Sequence, residues 1–203
     1  MRAGKASDLV QPGDLIVFRG SGFLSAAIEL FSDGLSHVAM VLDPRLPVNG
    51  KRQREIYLIE STVLNGASGP QVNALAERIA SYDAGGCVWH LALGDRVRAF
   101  LDWDAVRTYA VKKLAAHDTY NKLELGQYVL RRLPLIQYDP DLYAGNPRQE
   151  VCSELAAELY KAGGLPGLKP PETMPSTLAE MAMWGGIQQL KGPARMIARF
   201  NTV

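Results

Sequence analysis

The chain has 203 residues, 47% of them hydrophobic and 21% charged, with a formal net charge of +1. These values describe one globular domain over 1–203 with ample apolar material for a core. A near-neutral balance argues against nucleic acid as the main partner, because neutralising phosphates needs a basic face. No apolar run approaches the ~20 residues of a membrane-spanning helix, so no integral membrane segment is expected.

In chain order, GDLIVFRG reads as a strand after the Pro12-Gly13 turn. SGFLSAAIELFSDG reads as a short helix with Phe23, Ala26, Ala27 and Leu30 on one stripe and Gly34 as its stop. LSHVAMVLD is a strand bounded by Gly34 and Asp43-Pro44. Its alternation puts His37, Ala39 and Val41 on one face and Val38, Met40 and Leu42 on the other. The polar stretch DPRLPVNGKRQR would link it to a second strand, EIYLIEST, with Lys51, Arg52 and Arg54 as solvated loop charges. A helix at 72–81, a strand at 87–93, a helix at 100–118 and a helix at about 122–132 stopped by Pro134 follow. The next helix holds Cys152 and ends at Gly163-Gly164. Strands gathered early and helices gathered late predict an antiparallel sheet flanked by helices, the α+β class.

Cys152 opens the amphipathic run CSELAAELYKAGG, where Leu155, Ala156 and Leu159 lie three, four and seven residues on. The sulfur is thus on the inward stripe near a helix start, where unpaired N–H groups and the positive dipole end stabilise a thiolate. The Cys152 N–H would also supply part of an oxyanion hole. By position alone the better reading is a small buried hydrophobe. The cap-like Asn146-Pro147-Arg148-Gln149 would start the helix earlier and move Cys152 to the second turn; a start near Glu150 or Val151 keeps it in the first.

A nucleophilic thiol needs a base. The three histidines are His37, His90 and His117, and each taken singly is better read as structural. Glu60, on the face of Ile56 and Leu58, is a carboxylate in an apolar strand and is costly to bury unpaired. If strands 36–42 and 55–61 form a hairpin, Glu60 lies beside the strand of His37 and can fix its tautomer. Cys–His–carboxylate is the set that nucleophilic catalysis requires. Cys87 and His90 point to opposite faces of one strand, and no phosphate loop, dinucleotide fingerprint or serine elbow is present. Trp89, Trp103 and Trp184 read as core.

The order GDLIVFRG, SHVAMVLD, YLIES, VCSELAAELYKAGG resembles the permuted papain-like amidases of the NlpC-type superfamily, in particular their YiiX-like branch, across residues 12–180. In that branch the histidine strand precedes the cysteine helix. The resemblance aligns His37 with the family's histidine, Glu60 with its acidic residue and Cys152 with its nucleophile, in the helix's first turn. It also aligns Gly13-Asp14 with the opening of the first strand, and Pro175-Ser176 with Leu178-Ala179 with a stretch after the cysteine helix. Tyr120-Asn121 departs from the family's Tyr-Asp, and the 131–150 segment is longer than the family pattern.

The resemblance implies a cysteine hydrolase of an amide or related acyl bond, with Cys152 as nucleophile, His37 as base and acid, and Glu60 as orienter. It implies no metal or organic cofactor. The substrate classes it admits are a small molecule, a peptide or a lipid conjugate. The alternatives are an acyltransferase of the lecithin retinol acyltransferase type and a silent binding domain of the same fold. The N-terminal stretch shows no leader pattern and the two cysteines read as free thiols, so a cytoplasmic, reducing location is expected.

Overall fold

The computed structural model describes residues 10–20, 35–43, 55–64, 66–82, 85–116, 119–120 and 149–193. Strands β1 (Leu15–Arg19), β2 (His37–Val41), β3 (Tyr57–Leu64) and β4 (Ala67–Ala74) lead into helix α1 (Leu75–Ser81). Strand β5 (Cys87–Leu93) and helices α2 (Asp95–Phe100) and α3 (Trp103–Ala116) follow. Short strands β6 (Thr119–Tyr120) and β7 (Gln149–Glu150) pair in parallel just before α4 (Cys152–Ala162). A 3-10 turn (Pro170–Glu172), α5 (Pro175–Ala179) and β8 (Trp184–Lys191) complete the order. Six strands form one sheet in the order β4-β3-β2-β1-β5-β8, every neighbouring pair antiparallel. The architecture is α+β.

Period-two alternation divides the sheet into two apolar faces. Leu15, Val17, Val38, Met40, Ile59, Trp89 and Leu91 join Cys152, Leu155, Ala156 and Leu159 of α4 in the larger core. Ile16, Phe18, Ala39, Val41, Leu58 and Val88 form the smaller core with Leu75 of α1. Helix α4 therefore covers one face and α1 the other. Burial of these aliphatic side chains contributes about 1.5–3 kcal/mol each.

Several sequence expectations are corrected. The helix foreseen at 72–81 begins only at Leu75, and the residues before it form β4, paired with β3 from Tyr57↔Ala74 to Leu64↔Ala67. Pro70 and Gly69 disguise this strand, yet it lies at the sheet edge, where proline's missing N–H costs no ladder bond. The helix foreseen at 100–118 is α3, Trp103–Ala116, and a separate short helix, α2, precedes it across Leu101-Asp102. Asp102 Oδ1 accepts the N–H groups of Asp104 and Ala105, so its carboxylate caps the second helix. The late part of the chain is not all helix, since β8 adds an edge strand beside β5. The helices foreseen in 21–34 and 122–132, together with His117 and Asn121, lie outside the described residues.

The start of β1 is held by a buried carboxylate. Asp14 Oδ2 accepts from His90 Nε2 at 2.6 Å and from the Gln11 N–H at 2.8 Å. Its Oδ1 accepts from the Leu93 N–H at 2.9 Å and from Arg98 at 2.5 Å. Burial raises the Asp14 pKa, but these donors prevail and hold it below its ordinary value. Gly13, beside it, has φ +81°, and a Cβ there would sit 2.3 Å from Trp103 Cη2. The Tyr160 hydroxyl of α4 donates to the Gly13 carbonyl at 2.8 Å, tying the cysteine helix to this corner. His90 is thus structural. Asp14→Ala will destabilise the fold by about 3 kcal/mol in urea unfolding at neutral pH, because it strands the buried partners of the carboxylate.

Candidate active site

Cys152 is the first residue of α4, and Val151 is the N-cap with extended backbone and no side-chain cap. The helix therefore starts late, and its first turn presents backbone N–H groups without intrahelical acceptors. The Ser153 N–H hydrogen-bonds the sulfur. A second donor comes from the sheet. The β2–β3 ladder consists of Met40↔Ile59 and Val41↔Leu58, stopping short of Val38. The Val38 N–H hydrogen-bonds the Cys152 sulfur instead. The thiol occupies the opening where β2 and β3 part.

His37, the first residue of β2, reaches the same opening and hydrogen-bonds Cys152. Its Nε2 donates to Glu60 Oε2 at 2.5 Å, which leaves Nδ1 for the sulfur. Glu60 lies within β3 and is 1% exposed. Cys152, His37 and Glu60 are thereby brought into one continuous line. The antiparallel pairing of the two strands supplies this, as expected from the sequence, and its register puts His37 and Glu60 on the same face.

Two contacts of Glu60 are not visible from sequence spacing. Arg78 Nε of α1 donates to Oε1 at 2.9 Å and to Oε2 at 3.1 Å. The Asn73 side-chain amide of β4 donates to Oε1 at 2.9 Å. A signal for Arg78 does exist in the sequence: Leu75, Arg78, Ile79 and Tyr82 fall at spacings of three, four and seven, so an arginine sits on an apolar helix stripe. Such a residue needs a buried anion, and Glu60 is that anion.

The electrostatics follow from the order of charges. Burial disfavours the His37 imidazolium, but the Cys152 sulfur on one side and Glu60 on the other outweigh it and raise its pKa to about 9. Burial likewise raises the Cys152 thiol, yet the charge and hydrogen bond of His37 and the Val38 and Ser153 N–H groups bring it below its ordinary value of 9.0. For Glu60, burial again opposes ionisation, while His37 and then Arg78 lower the carboxyl to about 2. A carboxylate so depressed contributes its stability fully above its ordinary 4.5 and loses it as pH falls through about 2. The arrangement stabilises a thiolate beside an imidazolium, with a carboxylate behind the ring.

No family model matches the chain, and no curated protein matches it. Among solved structures the chain is similar to the metalloprotein yiiX from Escherichia coli O157:H7, at 18% identity and a TM-score of 0.47, over 77% of this chain and 67% of that one. Among the described residues, no group of three or more His, Cys, Asp or Glu is placed to hold a metal ion. Among the same residues no helix is long and apolar enough to cross a membrane.

Among the described residues, the Cys87 thiol, also buried, has as its hydrogen-bond partner the Pro193 carbonyl, 3.9 Å away. Iodoacetamide will therefore alkylate Cys152 faster than Cys87 at pH 7, and His37→Ala will remove that difference. Peptide mapping after timed quenching reads both rates, and equal slow labelling of the two cysteines in the parent would contradict the electrostatic account.

Proposed function

We propose that the protein is a cysteine-dependent hydrolase of an amide or related acyl bond, built on a permuted papain-like fold of the NlpC type, YiiX-like branch. The observation that carries this reading is the unbroken line from Cys152 through His37 to Glu60, at the N-terminus of a helix. In the reaction, the Cys152 thiolate attacks the substrate carbonyl carbon. The Cys152 N–H at the helix start donates to the developing oxyanion. Collapse breaks the C–N bond as the His37 imidazolium gives its proton to the leaving amine, and a thioester remains. Water then adds to the thioester while neutral His37 takes its proton. The tetrahedral species expels the thiolate, His37 is again an imidazolium, and a carboxylic acid leaves. Glu60 keeps the ring oriented and balances its charge in both halves. The substrate is a small molecule, peptide or lipid conjugate, and the location is cytoplasmic.

The test uses p-nitrophenyl acetate as a generic acyl donor, with intact-mass detection of an acetyl adduct on Cys152. Cys152→Ala will abolish both adduct and turnover, and His37→Ala will nearly do so. Glu60→Gln will be milder, losing about 2–4 kcal/mol of barrier lowering, or roughly one and a half to three decades in rate. Thermal melts of each variant separate a rate defect from unfolding. With an amide donor, turnover will fall as pH rises through about 9, where His37 loses the proton it gives to the leaving amine, whereas release of p-nitrophenolate, which departs without a proton, will not show this loss. A folded Cys152→Ala protein with undiminished turnover would falsify the mechanism. Adding an amine or alcohol acceptor and analysing products distinguishes hydrolysis from acyl transfer.

A further inference from the structure

We propose that Arg78 is a positioning residue for the cysteine site, acting through Glu60: its guanidinium, packed beside the Phe18 and Tyr82 rings, holds the carboxylate against His37. The inference rests on the reading of Cys152 as a nucleophile and extends it to a residue on the opposite side of the sheet from α4. Arg78 Nε touches both carboxylate oxygens, one of which, Oε2, also accepts from His37. The other, Oε1, is shared with Asn73. Both oxygens are therefore engaged by donors from separate elements, and rotation of the carboxylate would break at least two hydrogen bonds. With Glu60 immobile, the plane of the His37 ring is set, and with it the direction from Nδ1 to the sulfur.

The guanidinium is itself supported by two adjacent rings. The Arg78 guanidinium carbon lies 5.1 Å from the centroid of the Phe18 ring and 5.4 Å from that of Tyr82, and the two centroids are 4.9 Å apart. Guanidinium groups stack on such faces, and an ammonium would reproduce neither the planar group nor the Nε–H that Glu60 shares between its oxygens. The Phe18 ring centroid is also 5.4 Å from that of the His37 ring, so one aromatic side chain packs beside both cations that flank Glu60. The Tyr82 hydroxyl lies 3.3 Å from Ser36 Oγ, which accepts from the Gly20 N–H and donates to the Phe18 carbonyl. The end of α1 is tied across the sheet by Lys191 of β8, whose Nζ donates to the carbonyls of Ile79 at 2.8 Å and Tyr82 at 2.6 Å. Charges then alternate along the line: thiolate, imidazolium, carboxylate, guanidinium.

The readout is the pH dependence of Cys152 alkylation by iodoacetamide, which needs no substrate. The groups it reports are Cys152 of α4, His37 of β2, Glu60 of β3, Arg78 of α1 and the neutral Asn73 of β4. Arg78→Gln leaves the buried carboxylate without its guanidinium and lets it turn from the ring, so the imidazolium loses support and the thiolate forms at higher pH. The expected shift of the alkylation midpoint is about one pH unit, a tenfold loss of rate on the acid side. Arg78→Lys keeps the charge but not the planar Nε–H shared by both oxygens and will shift the midpoint less, in the same direction. In a Glu60→Gln background, Arg78→Gln will add no further shift, because the group it acts through is gone. An unshifted midpoint in folded Arg78→Gln, or shifts that simply add in the double variant, would overturn the role. Should Arg78→Gln fail to fold, Arg78→Lys decides alone, and an unshifted midpoint there overturns it. A parent whose Cys152 alkylates as an ordinary thiol removes the nucleophile reading and this inference together; a reactive parent with unshifted Arg78 variants removes only Arg78.

Discussion

The pairing of buried Glu60 with cationic and amide donors is the interaction on which the candidate site depends. A carboxylate that is 1% exposed is tolerable only when its lost hydration is replaced by charge and hydrogen bonds. Here the replacements come from β2, β4 and α1 at once, through His37, Asn73 and Arg78. That requirement specifies a three-strand meander in one register and a helix folded back across the face that α4 does not cover. A one-residue slip of β3 would turn Glu60 into the other core and leave Arg78 and His37 unpaired.

The same device recurs at the start of β1, where Asp14 gathers His90, Arg98 and two backbone N–H groups. The two sites share a His–carboxylate–Arg composition but differ in what the histidine meets. His90 has its carboxylate at the end of a closed corner. His37 has a carboxylate on one side and a thiol on the other. The difference is made by the β2–β3 ladder, which stops at Met40↔Ile59 and leaves the Val38 N–H for the sulfur of Cys152. The candidate site therefore sits where two paired strands part and a helix begins.

The Tyr160 contact joins these two centres. Its hydroxyl rests on the Gly13 carbonyl next to Asp14, while the other end of the same helix holds Cys152. The position of the thiol along β2 is thus registered against the β1 corner by a fixed span of helix. Leu155, Ala156 and Leu159 supply the apolar stripe that presses this span onto the sheet. The buried charge pairs and the candidate site are parts of one framework.

Much of this was legible in the residues themselves. Alternation in LSHVAMVLD grouped His37 with Ala39 and Val41, that in EIYLIEST grouped Glu60 with Ile56 and Leu58, and the three-four-seven stripe after Cys152 turned the sulfur inward. Local periodicity records such facts because it is imposed by burial of one face. Composition misled where tertiary context prevails. The stretch foreseen as helix from residue 72 is still strand up to Ala74, because it pairs with β3 at the sheet edge, and the helix foreseen from residue 100 starts at Trp103, after Asp102 caps it. The convergence of α4 on the gap between β2 and β3, the escape of the Val38 N–H from the ladder, and the choice of Glu60 as the partner of Arg78 were decided only by the tertiary structure. They join residues from 18 to 115 positions apart, and no local pattern encodes which distant donor a buried charge will find.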